Sequence, residues 1–375
     1  MEHYLDNSAT TRVCPEAAQA ALHAMTEVYG NPSSTHTVGR EAKRLLDSSR
    51  GQVAAALGCA AGELIFTSCG SESDNWAILN GAEAMKRKGK HIISSTVEHD
   101  AVRKSLDELE SRGFEVTRLR PDEAGAIPAG AVAEALRPDT ILVSLMLVNN
   151  ETGAVTDISS VSRTLKKAGS QALLHTDAVQ AFMKLPFSAK SLGADMISVS
   201  GHKIHAPKGI GALYIKNGLR LKPFILGGGQ EAGRRAGTEA MPQIAAFAAA
   251  CQAAGDVKAN AAHMAELKQL AVDRLQESIP EIRFIGGGAP HILSLSLPGW
   301  RSEVLMNFLE AREIYVSKSS ACKKGGRSHV LEAIGLDAKT IDGAIRVGLS
   351  RFSTEEDILA LCQGLKDARD TLAHA

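Results

Sequence analysis

Two stretches of the chain, LLHTDAVQ (173–180) and MISVSGHK (196–203), decide its fold. Each is a short apolar run followed by a turn, which is the pattern of a buried strand in a parallel sheet. The first run delivers Asp177, and the second ends on Lys203, 26 residues later. Because parallel strands end at the same edge of a sheet, we expect a carboxylate and an amine to lie close together there.

A buried carboxylate beside a buried amine is the pair that a pyridoxal phosphate (PLP) site requires. The lysine forms a Schiff base with the cofactor, and the carboxylate keeps the pyridine nitrogen protonated. Taken singly, Asp177 fits a helix cap and Lys203 fits a surface lysine, but together they favour the cofactor. Gln180 follows within reach of a ring hydroxyl, while Ser200 and His202 can hold a phosphate. The residues therefore predict a PLP enzyme.

Length and composition set broad limits on the rest. The chain has 375 residues, 44% of them apolar, which is enough for two domains with a large core. Lys plus Arg and Asp plus Glu both total 42, so no global charge favours nucleic acid, and we expect no direct nucleic-acid binding. The N-terminal MEHYLDNSATTR does not resemble a signal peptide. The longest apolar run, 141–148, is too short to span a membrane and predicts a strand.

The cysteines indicate a reducing setting. No two of the six form a CxxC pair, so neither a zinc site nor a disulfide framework is expected, and no metal is assigned. A cytoplasmic location follows as the default. The six are Cys14, Cys59, Cys69, Cys251, Cys322 and Cys362.

Strand and helix patterns alternate from about residue 40 to residue 215. This rhythm predicts an α/β fold whose mostly parallel central sheet is flanked by helices. The predicted strands are 64–67, 91–95, 141–148, 172–175, 196–199 and 211–215. The predicted helices are 41–57, ending at Gly58, and then 73–88, 100–111 and 157–168.

The C-terminal part predicts a smaller α+β domain. An alanine-rich helix over 244–264 leads into it, and a last helix opens with Ser353 and Glu356 in capping-box spacing. Between these helices come predicted strands at 292–297, 314–317 and 344–350 and a helix at 302–311. We expect a large PLP-binding domain over 15–255, and a small domain of 1–14 with 256–375 that carries a catalytic cysteine loop.

Two further segments suit parts of a cofactor site. In FTSCGSES (66–73) a strand turns through Gly70 and Ser71 into a helix, whose first N–H groups bind phosphate well. A plain strand–turn–helix with a serine cap fits the same residues. His99 follows the strand 91–95 and could stack on the pyridine ring and exchange protons, although a core or surface histidine fits equally.

Cys322 differs from the other cysteines because of its neighbours. It lies in SKSSACKKGGRSHV (317–330), after small residues and before glycines and basic residues. An exposed electropositive loop of this kind lowers a thiol pKa and produces a nucleophilic thiolate. Lys323, Lys324 and Arg327 could stabilise that thiolate and attract an acidic acceptor protein, or could serve only as solubilising charge.

Arg346 lies in the mostly apolar run AIRVGLS (344–350). A buried guanidinium needs an anionic partner, and a substrate carboxylate bound through two hydrogen bonds is a suitable one. A structural ion pair is the competing interpretation.

Nine ordered motifs give the chain a family resemblance. It resembles the NifS-like cysteine desulfurases of the class-V aminotransferase family over nearly its whole length. The motifs are YLDNSATT (4–11), GNPSSTHTVG (30–39), FTSCGSESDN (66–75), EHDAV (98–102), VNNETG (148–153), HTDAVQ (175–180), SVSGHK with APKGIGALY (198–214), GGGQEAGRRAGTE (227–239) and SSAC (319–322).

The resemblance implies PLP fold-type I, a homodimer, and removal of sulfur from L-cysteine with release of L-alanine. It assigns Lys203 to the Schiff base, Asp177 to the pyridine nitrogen, Gln180 to the ring hydroxyl and His99 to stacking on the ring. Cys322 would take the sulfur as a persulfide. The resemblance places Gly70, Ser71, Ser200 and His202 at the phosphate with Thr238 of the other subunit, and Asn150 and Arg346 at the substrate.

Some alternatives stay open from the sequence. The persulfide would pass to a sulfur-acceptor protein, either an iron–sulfur scaffold or a tRNA-thiolating enzyme. A selenocysteine lyase or another class-V PLP enzyme would share the scaffold, although an aminotransferase needs no loop thiol such as Cys322. A binding protein that kept only the fold is disfavoured because every expected catalytic side chain is present. Cys69 and Ser71 depart from the glycine and threonine that are usual at those positions in the family.

Overall fold

The computed structural model of the chain describes residues 2–318 and 326–373. In chain order the strands are β1 His3–Tyr4, β2 Leu64–Thr67, β3 His91–Ser95, β4 Glu115–Leu119, β5 Thr140–Ser144, β6 Leu173–Asp177, β7 Met196–Ser200, β8 Gly211–Ile215, β9 Arg283–Ile285, β10 Ile292–Ser296, β11 Ile314–Tyr315, β12 Ser317–Lys318 and β13 Ala344–Gly348.

The α-helices are α1 Pro15–Thr26, α2 Thr37–Leu57, α3 Gly70–Asn75, α4 Gly81–Met85, α5 Asp100–Ser111, α6 Ala129–Ala135, α7 Ile158–Lys167, α8 Ala189–Leu192, α9 Met241–Ala253, α10 Val257–Ser278, α11 Ser302–Glu310, α12 His329–Ala333, α13 Ala338–Asp342 and α14 Glu355–Thr371. A π-helical turn, Trp76–Asn80, joins α3 to α4, and 3₁₀ turns cover Ala61–Glu63, Gly201–Lys203 and Gln230–Gly233.

A seven-stranded sheet forms the centre of the large unit, in the order β2-β8-β7-β6-β5-β3-β4. The five strands from β7 to β4 run parallel, and β8 is antiparallel to both of its neighbours. Every residue of β3, β5, β6, β7 and β8 is buried, which is typical of central strands that are covered on both faces. The predicted mostly parallel α/β sheet is confirmed.

Helices cover both faces of this sheet. Successive strand residues point to opposite faces, so Leu64 and Phe66 join one apolar cluster while Ile65 joins another. The first cluster includes Phe182 and Phe247. These two layers exclude water from the strands and leave the strand ends as the place where polar side chains can gather.

The C-terminal sheet is antiparallel, in the order β12-β13-β10-β9. Its core cluster contains Leu293 and Leu295 of β10, residues of α10 and α14, and also Leu5 from the N-terminus. The adjacent strand β1 pairs with β11. The N-terminal segment therefore packs with the C-terminal unit before the chain enters the large sheet.

Several predicted boundaries were wrong. The apolar run 141–148 forms a strand only as far as Ser144, and the buried residues after it lead to the site as a loop. The helix predicted over 73–88 begins earlier, at Gly70, and ends at Met85. The single helix predicted over 244–264 is two helices, α9 and α10.

The break between α9 and α10 has a local cause. Gly255 has a φ of 60°, a left-handed conformation that ends a helix. Asp256 then caps α10, since its carboxylate accepts hydrogen bonds from the N–H groups of Lys258 and Ala259.

The cap of the last helix was also assigned wrongly, one residue too early. Thr354, not Ser353, is the N-cap of α14, and its hydroxyl accepts a 3.3 Å hydrogen bond from the N–H of Asp357. The Asp357 carboxylate accepts a 2.8 Å hydrogen bond from the N–H of Thr354. Ser353 is buried instead, and its hydroxyl accepts a hydrogen bond from the N–H of Ser350.

Replacing the true cap gives a test of this local structure. We expect Thr354→Ala to lower the free energy of unfolding by about 1 kcal/mol, because one N–H group at the start of α14 loses its acceptor. Glu356 is exposed, and Glu356→Ala should change that free energy by less than about 0.5 kcal/mol. Urea denaturation of both variants measures the difference, and an equal loss in the two would contradict the assignment.

Candidate functional site

The carboxyl ends of β6 and β7 open onto a cavity of about 290 Å³. Most of the residues predicted for the site line it, from both the large and the small unit. They are Gly70, Ser71, His99, Asn150, Asp177, Gln180, Ser200, His202, Lys203 and Arg346. Thr238 does not line the cavity and is exposed on the surface of this chain. Cys322, Lys323 and Lys324 lie outside the described residues.

Lys203 stands on the tight turn that follows β7. A Cβ atom on Gly201 would come within 2.7 Å of Ile210 Cγ2, so this turn requires glycine. The Lys203 Nζ donates hydrogen bonds of 2.7 Å to the backbone oxygens of Ser8 and Ala9. The YLDNSATT segment therefore holds the amine in the cavity, a role that the sequence did not assign to these two residues.

Asp177 is the last residue of β6 and is buried. One of its carboxylate oxygens accepts a 2.9 Å hydrogen bond from the N–H of Val179. Burial raises the pKa of Asp177, while the neighbouring His99 and Lys203 act in the opposite direction. The carboxylate faces the cavity and is the charge available to a protonated ring nitrogen.

A second buried carboxylate, Asp74, lies behind this group. Atoms of Asp74, His99 and Asp177 lie within 4.8 Å of one another. Burial first and the charge of Asp177 second raise the pKa of Asp74 well above its ordinary value. Burial and the neighbouring charge therefore favour the protonated form of Asp74, with the negative charge of the pair on Asp177. The only sequence signal for Asp74 was its place in the FTSCGSESDN motif, because its importance arises only when α3 packs against the central sheet.

His175 completes the layer beneath Asp177. Its two ring nitrogens lie 2.8 Å from the Ser144 hydroxyl and 3.0 Å from the Ser198 hydroxyl. Burial lowers the pKa of His175 to about 3, so the ring is neutral. This neutral histidine lies 3.6 Å from Asp74 and satisfies buried hydroxyls without adding charge to the site.

His99 lies at the start of α5. Its Nδ1 accepts a 3.1 Å hydrogen bond from the N–H of Ala101, so in the neutral ring the proton is on Nε2. This arrangement fixes the ring at the cavity wall and leaves Nε2–H as the donor.

Glu98, next to His99, is a further buried acid that the sequence analysis missed. Its carboxylate accepts a 2.5 Å hydrogen bond from the Ser95 hydroxyl and a 3.0 Å hydrogen bond from the N–H of Met146. Burial raises the pKa of Glu98 to about 8, in spite of these hydrogen bonds. The only sequence signal was its place in the EHDAV motif.

The part of the cavity next to the start of α3 can receive a phosphate. Gly70 and Ser71 begin α3, where the first N–H groups of a helix have no acceptor within the helix. The Ser200 hydroxyl is buried beside them, and in the part of the chain that the structure describes it has no hydrogen-bond partner. The cavity therefore offers the groups that pyridoxal phosphate requires. They are the Ser200 hydroxyl, the N–H groups at the start of α3, the Lys203 amine and the Asp177 carboxylate.

Arg346 enters the cavity from β13 of the small sheet and is buried. Its guanidinium donates a 2.6 Å hydrogen bond to the backbone oxygen of Asn150 and one of 2.9 Å to the Ser317 hydroxyl. Asp6 lies 3.3 Å from the guanidinium, yet within residues 2–318 and 326–373 the Nε–H has no partner. Arg346 can therefore pair with Asp6 and also bind a substrate carboxylate, since its Nε–H remains as a donor.

The segment after residue 325 forms another part of the cavity wall. Arg327, Ser328 and His329 line it, and the Ser328 hydroxyl donates a short hydrogen bond to the Glu151 carboxylate. Burial raises the pKa of Glu151 to about 7.

The segment that carries Thr238 is fixed to the large unit by two ion pairs. Arg50 and Glu231 lie 2.6 Å apart, with the Glu231 side chain buried, and Arg235 lies 2.9 Å from Glu72. Thr238 is thus presented outward rather than toward its own cavity.

Comparison with known proteins agrees with this architecture. The family described as aminotransferase class-V matches residues 3–361. Cysteine desulfurase 2 of Trichormus variabilis is 43% identical over 364 residues, covering 95% of this chain and 90% of that protein. A solved NifS-like protein superposes with a TM-score of 0.93 at 36% identity, covering 99% of this chain and all of the other. A structure titled SspA in complex with cysteine has a TM-score of 0.81 at 32% identity, covering 94% of this chain and 100% of that one.

The raised pKa of Glu98 predicts a particular pH dependence. Its folded value of about 8 lies above the ordinary 4.5, so between these pH values the unfolded chain releases a proton that the folded chain keeps. The contribution of Glu98 to the free energy of unfolding of the wild-type protein is therefore present at low pH and is lost as the pH rises. We expect the stability of Glu98→Gln relative to wild type to grow from about pH 5 to about pH 8, by about 1 kcal/mol per pH unit.

Urea denaturation across this pH range measures the difference, with the exposed Glu356→Gln as the control variant. Parallel stability curves for Glu98→Gln and wild type would show that Glu98 is ionised in the folded chain and would contradict the prediction.

Proposed function

The chain belongs to the class-V aminotransferase family, and we propose on that premise that it is a PLP-dependent cysteine desulfurase, which takes sulfur from L-cysteine and leaves L-alanine. The placement of Lys203 and Asp177 at adjacent strand ends facing one cavity is the observation that carries this proposal. The cysteine desulfurases among its relatives, similar over nearly the whole chain, support the same activity.

The residues at the cavity suit the cofactor part by part. Lys203 would bind its aldehyde, Asp177 its pyridine nitrogen and Gln180 its ring oxygen, with His99 stacked on the ring. The phosphate would be held by Gly70, Ser71, Ser200 and His202, with Thr238 contributed by a second subunit. Bound there, PLP supplies an electron sink that stabilises negative charge at the substrate α-carbon.

The side chains of this chain then have separate tasks. Arg346 and Asn150 would hold the substrate carboxylate and orient the molecule. The Lys203 Nζ takes the α-proton and returns it, and its place beside the Ser8 and Ala9 oxygens keeps it within the cavity. The raised pKa of Asp74 behind Asp177 favours a negative charge on Asp177 rather than on Asp74.

Cys322 is the residue that we propose takes the sulfur from the substrate. Its thiolate attacks the substrate sulfur, so a sulfur–sulfur bond forms while the carbon–sulfur bond breaks. The electron pair of the broken bond stays with carbon, which takes up a proton to give alanine, and the reaction needs no external oxidant.

His202, whose pKa burial lowers to about 4, is neutral and contributes hydrogen bonding rather than charge.

A Cys322→Ser variant tests the assignment and separates it from the alternatives. We expect it to bind L-cysteine, seen as a change in cofactor absorption, yet to yield alanine at least about 10³-fold more slowly in single turnovers, because the nucleophile is gone. Half-buried Cys59 lies outside the cavity, and Cys59→Ser should keep the wild-type rate. Normal alanine output from Cys322→Ser would instead favour a selenocysteine lyase or another class-V enzyme.

We also propose a homodimer and the two-domain division at 15–255 and 1–14 with 256–375. The outward position of Thr238 and the exposure of Leu226, at 83%, suit a surface covered by a second copy. The packing of Leu5 with the C-terminal core supports the division. Sedimentation velocity tests the first part, and a monomer at micromolar concentration would contradict it.

The sulfur acceptor is proposed only as a class of protein, an iron–sulfur scaffold or a tRNA-thiolating enzyme. The basic residues Lys323, Lys324 and Arg327 that follow Cys322 in the sequence suit an acidic partner surface, although the Arg327 guanidinium also pairs with Asp342 at 2.8 Å. Transfer of labelled persulfide sulfur from Cys322 to each kind of purified acceptor distinguishes the two.

None of the helices within 2–318 and 326–373 has both the length and the apolar character needed to cross a membrane. We propose a cytoplasmic location, which suits the free thiols of the described cysteines. These are Cys14, Cys59, Cys69, Cys251 and Cys362. Cell fractionation tests it, and recovery outside the cytoplasm would contradict it.

A further inference from the structure

Lys184 is a buried lysine that the proposed chemistry does not use. It lies in the turns that follow β6, and only 5% of its surface is exposed. Within residues 2–318 and 326–373, no carboxylate lies within ion-pair distance of its amine. The charged groups that affect it most are Lys203 and Arg346, which are both cations.

A lysine in this setting is unfavourable for folding. Moving an amine out of water without a counter-charge costs free energy, and two nearby cations add to that cost. Burial, with these cations, lowers the pKa of Lys184 well below its usual range, which favours the neutral amine. A methionine of similar volume would fill the same space without this cost, so packing alone does not account for the residue.

The contact that Lys184 does make is with Gln180. Its Nζ lies 3.4 Å from the side-chain oxygen of Gln180. At the other end of the same amide, Nε2 donates a 2.8 Å hydrogen bond to the backbone oxygen of Ser8. That oxygen also accepts a hydrogen bond from Lys203, so Gln180 belongs to the network that holds the amine.

These two contacts leave one orientation for the amide. A backbone oxygen only accepts hydrogen bonds, so the nitrogen of the amide must face Ser8. The amide oxygen then faces Lys184, which supplies N–H groups. One N–H of the amide remains, and Gln180 lines the cavity.

We propose that Lys184 is a positioning residue: it holds the Gln180 amide so that the remaining N–H is available to the ring oxygen of the cofactor. The inference rests on the proposed function, which assigns Gln180 to that oxygen. It explains why a lysine that opposes folding lies one turn from a cofactor contact.

The variant Lys184→Met separates positioning from structural support. We expect the dissociation constant for PLP to rise about ten-fold, because the amide is free to turn away from the ring oxygen. The melting temperature of the apoprotein should stay the same or rise, because the unpaired amine is removed. Absorbance titration with PLP and thermal melting of the apoprotein measure the two effects, with the exposed Lys190→Met as the matched control.

A double-mutant cycle tests whether Lys184 acts through Gln180. In a Gln180→Ala background, adding Lys184→Met should leave the PLP dissociation constant unchanged, because the amide that Lys184 orients is already gone. Additive effects of the two changes would overturn the inference, and so would a fall in the melting temperature of Lys184→Met apoprotein.

The experiment also separates this inference from the proposed function. Failure of the wild-type protein to bind PLP would overturn both. Wild-type binding with an unchanged dissociation constant in Lys184→Met would overturn the role of Lys184 alone.

Discussion

Lys203 and Asp177 reach the same cavity because the two strands that carry them are paired in parallel, with Asp177 opposite Ser198. A shift of one residue in this register would turn every side chain of one strand to the other face of the sheet. The register is fixed by burial, since all ten residues of β6 and β7 are buried between helix layers. The site therefore depends on the packing of the central sheet as much as on its polar residues.

Buried titratable groups surround this pair at high density. Four of these groups are almost fully buried: Asp74, Glu98, Glu151 and Lys184. Burial shifts the pKa of each one in the direction that favours its neutral form. Such groups oppose folding, and proteins accept them where a site requires fixed polarity. The neutral forms that burial favours can form hydrogen bonds without adding charges that would compete with Asp177 and Lys203.

Sequence reasoning succeeded where the cause of structure is local. Strand Leu64–Thr67 and helix Asp100–Ser111 have the predicted bounds, and Gly58 ends α2 with a φ of 69° as its residue type indicated. The missed break at Gly255 and Asp256 also had a local signal, which the alanine-rich run concealed.

Other features of the site had no signal of that kind. Asp74 and Glu98 matter because tertiary packing brings them behind Asp177, and the backbone oxygens of Ser8 and Ala9 hold Lys203 whatever side chains those positions carry. The amide of Gln180 contacts the backbone oxygen of Ser8, which is distant in the sequence, as well as the nearby Lys184 amine. The assignments of Cys322 and Thr238 rest on motif and remain predictions.

The covalent attachment of the cofactor tests the central claim most directly. Protein saturated with PLP would be reduced with borohydride, digested, and mapped by mass spectrometry. The account predicts a pyridoxyl phosphate adduct on the Lys203 side chain and on no other lysine, buried Lys184 included. No adduct at Lys203, or an adduct at Lys184 instead, would contradict it.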